Sequence, residues 1–412
     1  MTLNLMQQLP FGEGQELREA DPYREAERPF TAPVRPLRLL AYVHLRNIYA
    51  STGAGRVARQ MTEHLAMRED ISLRVLADAG DQSRILPLVG EPWKSFRYHT
   101  FASDTSRQQA LWFALNRPKA ESFWPEADII FCTGESFVPT TKARLVVTAH
   151  DAAYFEPGAH RQNAAFWRQR IKWALLFRRL VARADMVHTV SQFSADRLAF
   201  HFPALRSRLR VVHNAVTPHF FEQPSVAGRA YVREQGLLDR PFLLVPGGLH
   251  FRKNADLILR AAPRLLDRYP DLVLAVVNHS NPVYAKQAAA LGPRLRLLGF
   301  VDEAALQALY ATTTAVWFPS LYEGFGLPVL EAMASGAPVV ASDASSLPEI
   351  AGDAALLANP VDTDDHLEKL FALLDDPRLQ TTLRERGRHR AQQFTWKRSA
   401  AQLKHHFDTL LA

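Results

Sequence analysis

The chain has little of several things that mark whole classes of protein. Cys132 is the only cysteine among 412 residues, so no disulfide forms within the chain, and a lone thiol fits a reducing compartment. No Cys/His cluster has the spacing of a zinc site. No apolar run approaches the ~20 residues of a membrane-spanning helix, and the N-terminus lacks the basic start and apolar stretch of a secretory signal. We therefore expect a cytoplasmic globular protein.

Positive charge is concentrated in one half of the chain. Lys and Arg number 29 against 21 Asp and Glu over residues 1–220, and by difference 20 against 21 over residues 221–412. The excess is densest in His160–Arg210, but no nucleic-acid recognition motif accompanies it, so nucleic acid is not an expected partner. An anionic membrane surface or a phosphate-bearing acceptor fits this charge better.

Part of the basic region has the pattern of an amphipathic helix. In His160–Arg183, aromatic and aliphatic residues are interleaved with Arg and Lys. Such a helix lies on a membrane surface, or it packs on the core with a charged outer face, and the sequence leaves both interpretations open. A peripheral position on the inner face of the membrane is one expectation that follows.

Length and pattern predict two domains, because the chain is too long for one typical core. Residues 1–36, which are polar and rich in proline, are predicted to form an irregular extension. Short apolar runs then alternate with helical patterns, which predicts an α/β fold of two Rossmann-like, doubly wound domains. The predicted boundaries are 37–216 for the first domain, 217–228 for a linker, 229–395 for the second domain and 396–412 for a C-terminal helix.

The predicted elements follow from apolar runs and helical periodicity. The strands are Leu37–Leu45, Ile71–Ala77, Ala127–Cys132, Ala143–Ala149, Met186–Val190, Leu209–Val212, Phe242–Val245, Leu272–Val277, Arg294–Leu298, Ala315–Phe318, Pro338–Ala341 and Ala354–Leu357. The clearest helices are Gly55–Ala66, Gln162–Ala182 and Ser194–His201.

The most informative segment is a strand, a glycine turn and a helix in the second domain. The strand ends at Phe318, the turn is Gly324-Phe325-Gly326, and Leu327–Ser335 is predicted as a helix that Gly336 ends. This arrangement directs backbone N–H groups at an anion.

Two glutamates accompany the turn. Glu323 lies on the loop beside the helix start and Glu331 about one turn into the helix, so one carboxylate can bind a ribose and the other a group beyond the phosphates. The string FPSLYEGFGLPVLEAMASGAPVVASDASSLPEIAGDAALLANP resembles the donor-binding segment of retaining nucleotide-sugar glycosyltransferases, in particular glycosyltransferase family 4 with its E-x7-E pattern. The resemblance implies the GT-B fold, with C-terminal helices that return toward the first domain. It also implies Glu331 on the ribose, Glu323 on the sugar hydroxyls and the backbone from Gly324 to Leu327 around the diphosphate.

Two cations follow a second glycine turn, Gly247-Gly248. Arg252 and Lys253 stand just before a predicted helix start, and this combination suits a diphosphate, although a solvated basic loop has the same composition. The string GGLHFRKNADLILRA resembles the second phosphate-binding segment of the family. The resemblance implies that Gly248, Arg252 and Lys253 hold the diphosphate and that catalysis needs no metal.

Further positions complete the predicted site. His150 follows a predicted strand, where open α/β sheets bind ligands, and VVTAHDAAYFEP resembles the segment whose histidine contacts the transferred sugar. STGAGRVARQMTEHL resembles the family's N-terminal glycine loop, which implies Gly53 and Gly55 beside the diphosphate. Arg56 either meets a phosphate or an acceptor, or simply starts a helix. LGFVD resembles the turn whose backbone, at Val301, holds the base.

A D-x-D pattern, Asp362-Thr363-Asp364, occurs in a loop that opens a helix. Helix N-capping is its predicted role, so we expect neither a catalytic metal nor another cofactor.

The resemblance implies metal-independent, retaining transfer of a hexose to an acceptor hydroxyl in polysaccharide or glycolipid biosynthesis. His150, Arg252, Lys253 and Glu323 are the residues expected nearest the reaction. The strings SSLPEIAGDAALLANP and FTWKRSAAQL look most like bacterial mannosyltransferases, so GDP-mannose is the first donor to test, with UDP-glucose and UDP-N-acetylglucosamine open. The expected acceptor is a saccharide, free or lipid-linked. A nucleotide-sugar 2-epimerase and a non-catalytic GT-B binding subunit are the alternatives.

Overall fold

The computed structural model describes residues 35–49, 52–102 and 104–412. The irregular extension predicted for residues 1–36 therefore lies outside the described residues, apart from its last two. Within the described part, no helix combines the length and apolar character needed to cross a bilayer.

The first domain is a seven-stranded parallel sheet with helices on both sides, in the order β3-β2-β1-β4-β5-β6-β7. Its elements are β1 (Leu37–Tyr42), α1 (Leu45–Tyr49), α2 (Gly53–Ala66), β2 (Ile71–Asp78), α3 (Ala79–Ile85), β3 (Tyr98–Phe101), α4 (Thr105–Leu115), β4 (Ile129–Cys132), β5 (Arg144–Ala149), α5 (Ala164–Arg183), β6 (Met186–Thr189), α6 (Gln192–His201) and β7 (Leu209–Val211).

The second domain repeats this architecture with a six-stranded parallel sheet, in the order β10-β9-β8-β11-β12-β13. Its elements are α7 (Val226–Glu234), β8 (Phe242–Pro246), α8 (Ala255–Arg268), β9 (Val273–Val277), α9 (Pro282–Ala289), β10 (Leu295–Gly299), α10 (Glu303–Thr312), β11 (Ala315–Phe318), α11 (Leu327–Ala334), β12 (Val339–Ser342), α12 (Leu347–Ala351), β13 (Leu356–Ala358), α13 (Thr363–Asp375), α14 (Pro377–Gln392) and α15 (Trp396–Leu411).

The twelve predicted strands are confirmed, except that β1 ends at Tyr42 and Leu45, its predicted end, begins α1. Most of them are apolar on both faces, as strands covered by helices on both sides must be. Burial is complete along β4, β8, β9 and β11. One strand, β3, escaped prediction. It lies at the sheet edge and is only partly buried, and its sequence Tyr-His-Thr-Phe contains no apolar run.

The C-terminal helix returns to the first domain, as the GT-B prediction requires. The Phe407 ring of α15 lies 5.7 Å from the Phe131 ring of β4. Lys404 Nζ is buried 3.3 Å from the Asp70 carboxylate and 2.7 Å from Asp408. The last helix therefore ties the end of the chain to the first sheet.

The chain passes from one sheet to the other between Val211 and Phe242, which includes the predicted linker 217–228. The end of that segment is helical rather than irregular, because α7 begins at Val226 with the Ser225 hydroxyl as its cap. A side chain at Gly228 would overlap the Ala304 carbonyl, so glycine here lets α7 pack closely on α10.

Candidate functional site

The predicted site residues come together at the carboxyl ends of both sheets. Each sheet reverses its strand order there, between β1 and β4 in the first domain and between β8 and β11 in the second, which is where such sheets bind ligands. The two domains are in contact at the loop residue Gly324. Its carbonyl accepts from Ser191 Oγ at 2.6 Å and Ser194 Oγ at 3.1 Å. A Cβ at Gly324 would lie 2.5 Å from the His150 carbonyl, so glycine is required for the contact.

The glycine turn and helix start are confirmed. Gly326 caps α11 with φ of +103°, a conformation that glycine adopts without strain. The described residues offer no acceptor to the backbone N–H groups of Phe325, Gly326 and Leu327. Free N–H groups at a helix N-terminus favour an anion, so this corner of the cleft has the chemistry of a phosphate site.

Lys253 and Glu323 form a buried ion pair, with Nζ 2.6 Å from Oε1. Nζ also lies 4.5 Å from the centre of the Phe318 ring. Burial lowers the pKa of Lys253, and Glu323 only partly opposes that effect. Burial alone would raise the pKa of Glu323, but the charges of Lys253 and Arg252 outweigh it and leave that pKa lowered. Each of the two groups therefore already has a partner within hydrogen-bond distance.

Arg252 points across the cleft toward the first domain. Its Nη1 lies 3.6 Å from Asp151 Oδ2, a contact long enough to yield to a bound anion. The neighbouring His150 donates its backbone N–H to Glu135 Oε1 at 2.6 Å. Its Nε2 is buried and has no hydrogen-bond partner among the described residues, which leaves that nitrogen for a ligand.

The second glycine turn directs its backbone N–H groups into the protein. The N–H groups of Gly247 and Gly248 both donate to the Val277 carbonyl, at 3.1 and 2.7 Å, so neither is directed at a ligand. Gly248 has φ of +72° and passes so close to the His279 carbonyl that no side chain fits. These glycines shape the loop, and contact of a diphosphate with Gly248 or with the two cations that follow stays a prediction.

Glu331, the predicted ribose ligand, is bound by the opposite domain. Arg56 Nη1, from the first turn of α2, lies 2.6 Å from Glu331 Oε1, and the Tyr310 hydroxyl lies 3.3 Å from Oε2. Burial raises the pKa of Glu331 and Arg56 opposes the shift. Arg56 does lie at a helix start, and its contact with a phosphate or an acceptor stays a prediction.

Gly53 and Gly55 of the first domain, and the turn at Val301 of the second, lie on the same side of the cleft as the Arg56–Glu331 pair. A side chain at Gly55 would overlap the Asn47 carbonyl, whereas Gly53 faces open space. The Val301 side chain is buried in the core, and Asp302 caps α10 by accepting from the Ala305 N–H at 2.8 Å. Contact between this backbone and a base stays a prediction.

Sequence reasoning missed several residues of the cleft. Glu135 lies three residues beyond β4, and the rule that selected His150, a polar residue at a strand's carboxyl end, could have found it. Glu349 is less visible in sequence. Its carboxylate accepts the backbone N–H groups of Gln192 and Phe193 at 2.8 and 3.1 Å and lies 2.7 Å from His213 Nε2. It thereby joins α12 to the N-terminus of α6 across the domains.

The D-x-D segment has the capping role that was predicted. Asp362 accepts the backbone N–H groups of Asp364 and Asp365 and so caps α13. Throughout residues 35–49, 52–102 and 104–412, no group of three or more His, Cys, Asp or Glu side chains is arranged to hold a metal ion. Metal-independent catalysis stays a prediction.

Two Rossmann-like domains that face each other across a cleft define the GT-B fold, and comparison with known proteins agrees. The family model "Glycosyl transferases group 1" matches residues 230–390, and "Glycosyltransferase Family 4" matches residues 51–220. The chain belongs to the glycosyltransferases that combine these two domains, and it is a transferase of GT-B type.

Relatives of known activity lie in the same family. The chain is 28% identical to O-antigen chain mannosyltransferase B of Escherichia coli over 370 residues, 86% of this chain and 95% of the relative. It is 30% identical to the MMP alpha-(1->4)-mannosyltransferase of Mycolicibacterium hassiacum over 284 residues, 66% of this chain and 67% of the relative.

Solved structures share the fold. WaaG, a glycosyltransferase involved in lipopolysaccharide biosynthesis, superposes with a TM-score of 0.67 at 18% identity, covering 91% of this chain and 99% of its own. Anabaena Alr3699/HepE in complex with UDP and glucose gives 0.68 at 18% identity, covering 90% of this chain and 100% of its own.

The Arg56–Glu331 pair leads to a prediction about nucleotide affinity. A ribose that binds Glu331 must first displace Arg56, so Arg56→Gln is expected to tighten binding of guanosine or uridine by about 3- to 10-fold, the range set by one net hydrogen bond. Calorimetry measures this. Arg59→Gln, one turn along α2, is the matched control because, among the described residues, Arg59 forms its ion pair with Glu63 of its own helix. Weaker nucleoside binding by Arg56→Gln would show that Arg56 assists the nucleotide rather than competing with it.

Proposed function

We propose that this glycosyltransferase moves mannose from GDP-mannose to a hydroxyl of a saccharide or lipid-linked saccharide, with retention of configuration and without a metal. The observation that carries the proposal is the convergence of Arg252, Lys253 and the free N–H groups of α11 in one cleft. The choice of mannose draws on the two mannosyltransferase relatives, whose sequences match this chain across both domains. We place the enzyme on the cytoplasmic face of the inner membrane.

In this proposal the protein acts mainly through charge. The bond between the anomeric carbon and the phosphate oxygen breaks, and the acceptor oxygen forms the new bond from the same face. The acceptor proton passes to the departing phosphate. Arg252, Lys253 and the α11 N-terminus stabilise the charge that develops on that phosphate, and prepositioned donors of this kind supply large catalytic effects. Glu331 holds the ribose, Glu323 holds the sugar hydroxyls and His150 Nε2 contacts the sugar near its reacting carbon.

A transfer assay tests the proposal directly. The full chain is incubated with octyl α-mannoside as the acceptor in three separate reactions. The donor in each is GDP-mannose, UDP-glucose or UDP-N-acetylglucosamine. We expect GDP-mannose to give an octyl disaccharide whose one-bond C1–H1 coupling in NMR is that of an α-mannoside. Among the three donors, GDP-mannose should also raise the melting temperature of the protein most. A ligand at a hundred times its Kd stabilises a protein by about 2.7 kcal/mol. A β-linked product would refute retention, and sugar interconversion without acceptor would identify an epimerase.

Removal of divalent metal is expected to leave the transfer rate largely unchanged. In this proposal Arg252 and Lys253 neutralise the diphosphate in place of a metal, so EDTA has no essential ion to remove. The assay compares initial rates with EDTA, with EDTA plus excess Mg²⁺, and with EDTA plus excess Mn²⁺. Complete loss with EDTA and recovery with Mn²⁺ would contradict the metal-free mechanism.

A further inference from the structure

The outer side of α5 is apolar as well as basic. One side of this helix is buried through Phe166, Phe177 and Leu180, so the core-packing interpretation holds for that side. The opposite side exposes Trp167, Ile171 and Leu175, spaced four residues apart, with exposed fractions of 47%, 60% and 46%. A helix that merely solvates a charged face does not present a stripe of this kind.

Helix α4 extends the stripe. Its Phe113 is also exposed. Arg179 lies one turn beyond Leu175, and its guanidinium sits 5.6 Å from the centre of the Phe113 ring, which places the two helices side by side. We name this surface the α4–α5 face; it consists of Phe113, Trp167, Ile171 and Leu175.

The charge around the α4–α5 face has one sign. Helix α5 carries six Arg and Lys residues and no acid, and α4 carries one Arg and no acid. Among them Arg168, Lys172 and Arg178 are exposed and make no ion pair with any described residue. A second copy docked through this face would bring these cations together, whereas anionic lipid headgroups would neutralise them while the apolar side chains enter the headgroup layer.

The α4–α5 face is also tied to the cleft. Arg161, three residues before α5, reaches the second domain, where its Nη2 lies 2.6 Å from the Tyr284 hydroxyl and its guanidinium 5.5 Å from the Phe251 ring centre. The N-terminal end of α5 therefore stands at the mouth of the cleft. A protein resting on this face would hold that opening next to the surface beneath it.

We propose that the α4–α5 face docks the enzyme on the interface of an anionic lipid bilayer, with the cleft opening toward the headgroups. This docking rests on the proposed function, which places the enzyme at the membrane, and it identifies the surface that contacts the lipid. It is tested without donor or acceptor, so its failure and the failure of glycosyl transfer are separate results.

Vesicle co-sedimentation of the full chain tests the docking. Vesicles of phosphatidylcholine alone are compared with vesicles that also contain phosphatidylglycerol. We expect at least tenfold more protein to pellet with the anionic vesicles at low salt, and release as salt rises, because the Debye length shortens. Two variants are expected to reduce this binding at least fivefold: Trp167→Ser/Ile171→Ser/Leu175→Ser and Arg168→Gln/Lys172→Gln/Arg178→Gln. All six positions are exposed, so the melting temperature should be unchanged.

Matched controls come from the second domain. Val226→Ser/Val283→Ser/Val361→Ser removes three other exposed apolar side chains, and Arg233→Gln/Arg240→Gln/Arg378→Gln removes equal charge. Both controls should pellet like the unmodified protein. Equal binding to neutral vesicles, equal losses in the controls, or no pelleting at all would overturn the proposal. A dimer in sedimentation velocity that dissociates in the apolar variant would also overturn the proposal, since that result would assign the face to a second copy. Retained transfer to octyl α-mannoside in the face variants separates docking from catalysis.

Discussion

Replacing Arg252 or Lys253 with alanine is expected to lower kcat/KM by about 30- to 1,000-fold. Each residue offers a charge-assisted contact that strengthens as the leaving diphosphate gains charge, and losing one such donor costs on the order of 2–4 kcal/mol of transition-state stabilisation. Steady-state kinetics with GDP-mannose and octyl α-mannoside measures the loss. A decrease of less than threefold in both variants would remove these cations from the site.

The controls for this result follow from the ion pairs. Arg260→Ala is the matched variant, because Arg260 is an exposed arginine on α8 and lies outside the cleft. Lys253→Ala leaves the buried Glu323 without its closest counter-charge, which destabilises the fold as well as the transition state. The double variant Lys253→Ala/Glu323→Gln removes that unpaired charge. If it recovers the melting temperature and its rate is still well below that of Glu323→Gln alone, the further loss belongs to the catalytic role of Lys253.

The two glutamates are expected to fail in different ways. Glu331→Gln should weaken binding of free GDP at least tenfold, because it removes the charged partner of the ribose. Glu323→Gln should leave GDP affinity unchanged or slightly higher, since Lys253 then loses a competitor for the phosphate, while kcat falls by about 100-fold. Calorimetry with GDP and kinetics with GDP-mannose give the two readouts. Equal loss of GDP affinity in both variants would refute this division of roles.

Arg56 provides the control for the Glu331 variant. Glu331→Gln also removes the partner of Arg56, so part of any change could arise from domain contact rather than from the ribose. The variant Arg56→Gln/Glu331→Gln restores neutrality across the cleft. If GDP affinity stays low in this double variant, Glu331 acts on the nucleotide itself.

Local pattern was enough to predict the architecture. Buried parallel strands are continuous apolar runs, so twelve strands and the alternation of strand and helix could be read along the chain, whereas the short, half-exposed edge strand β3 could not. The turn and helix at Gly324–Ala334 were also predictable, because glycine at positive φ and a helix start depend on residues close in sequence.

The sequence by itself determined the two-domain α/β fold, the charged residues that are candidates for a diphosphate site and the absence of a disulfide. The tertiary structure decided which of those charges meet. Arg56 with Glu331, Arg252 with Asp151 and Glu349 with the α6 N-terminus are contacts between distant segments, and no local periodicity encodes them. It also decided which side of α5 is buried. The buried side depends on what packs against the helix, so it cannot be predicted from a helix sequence that has apolar residues on both sides.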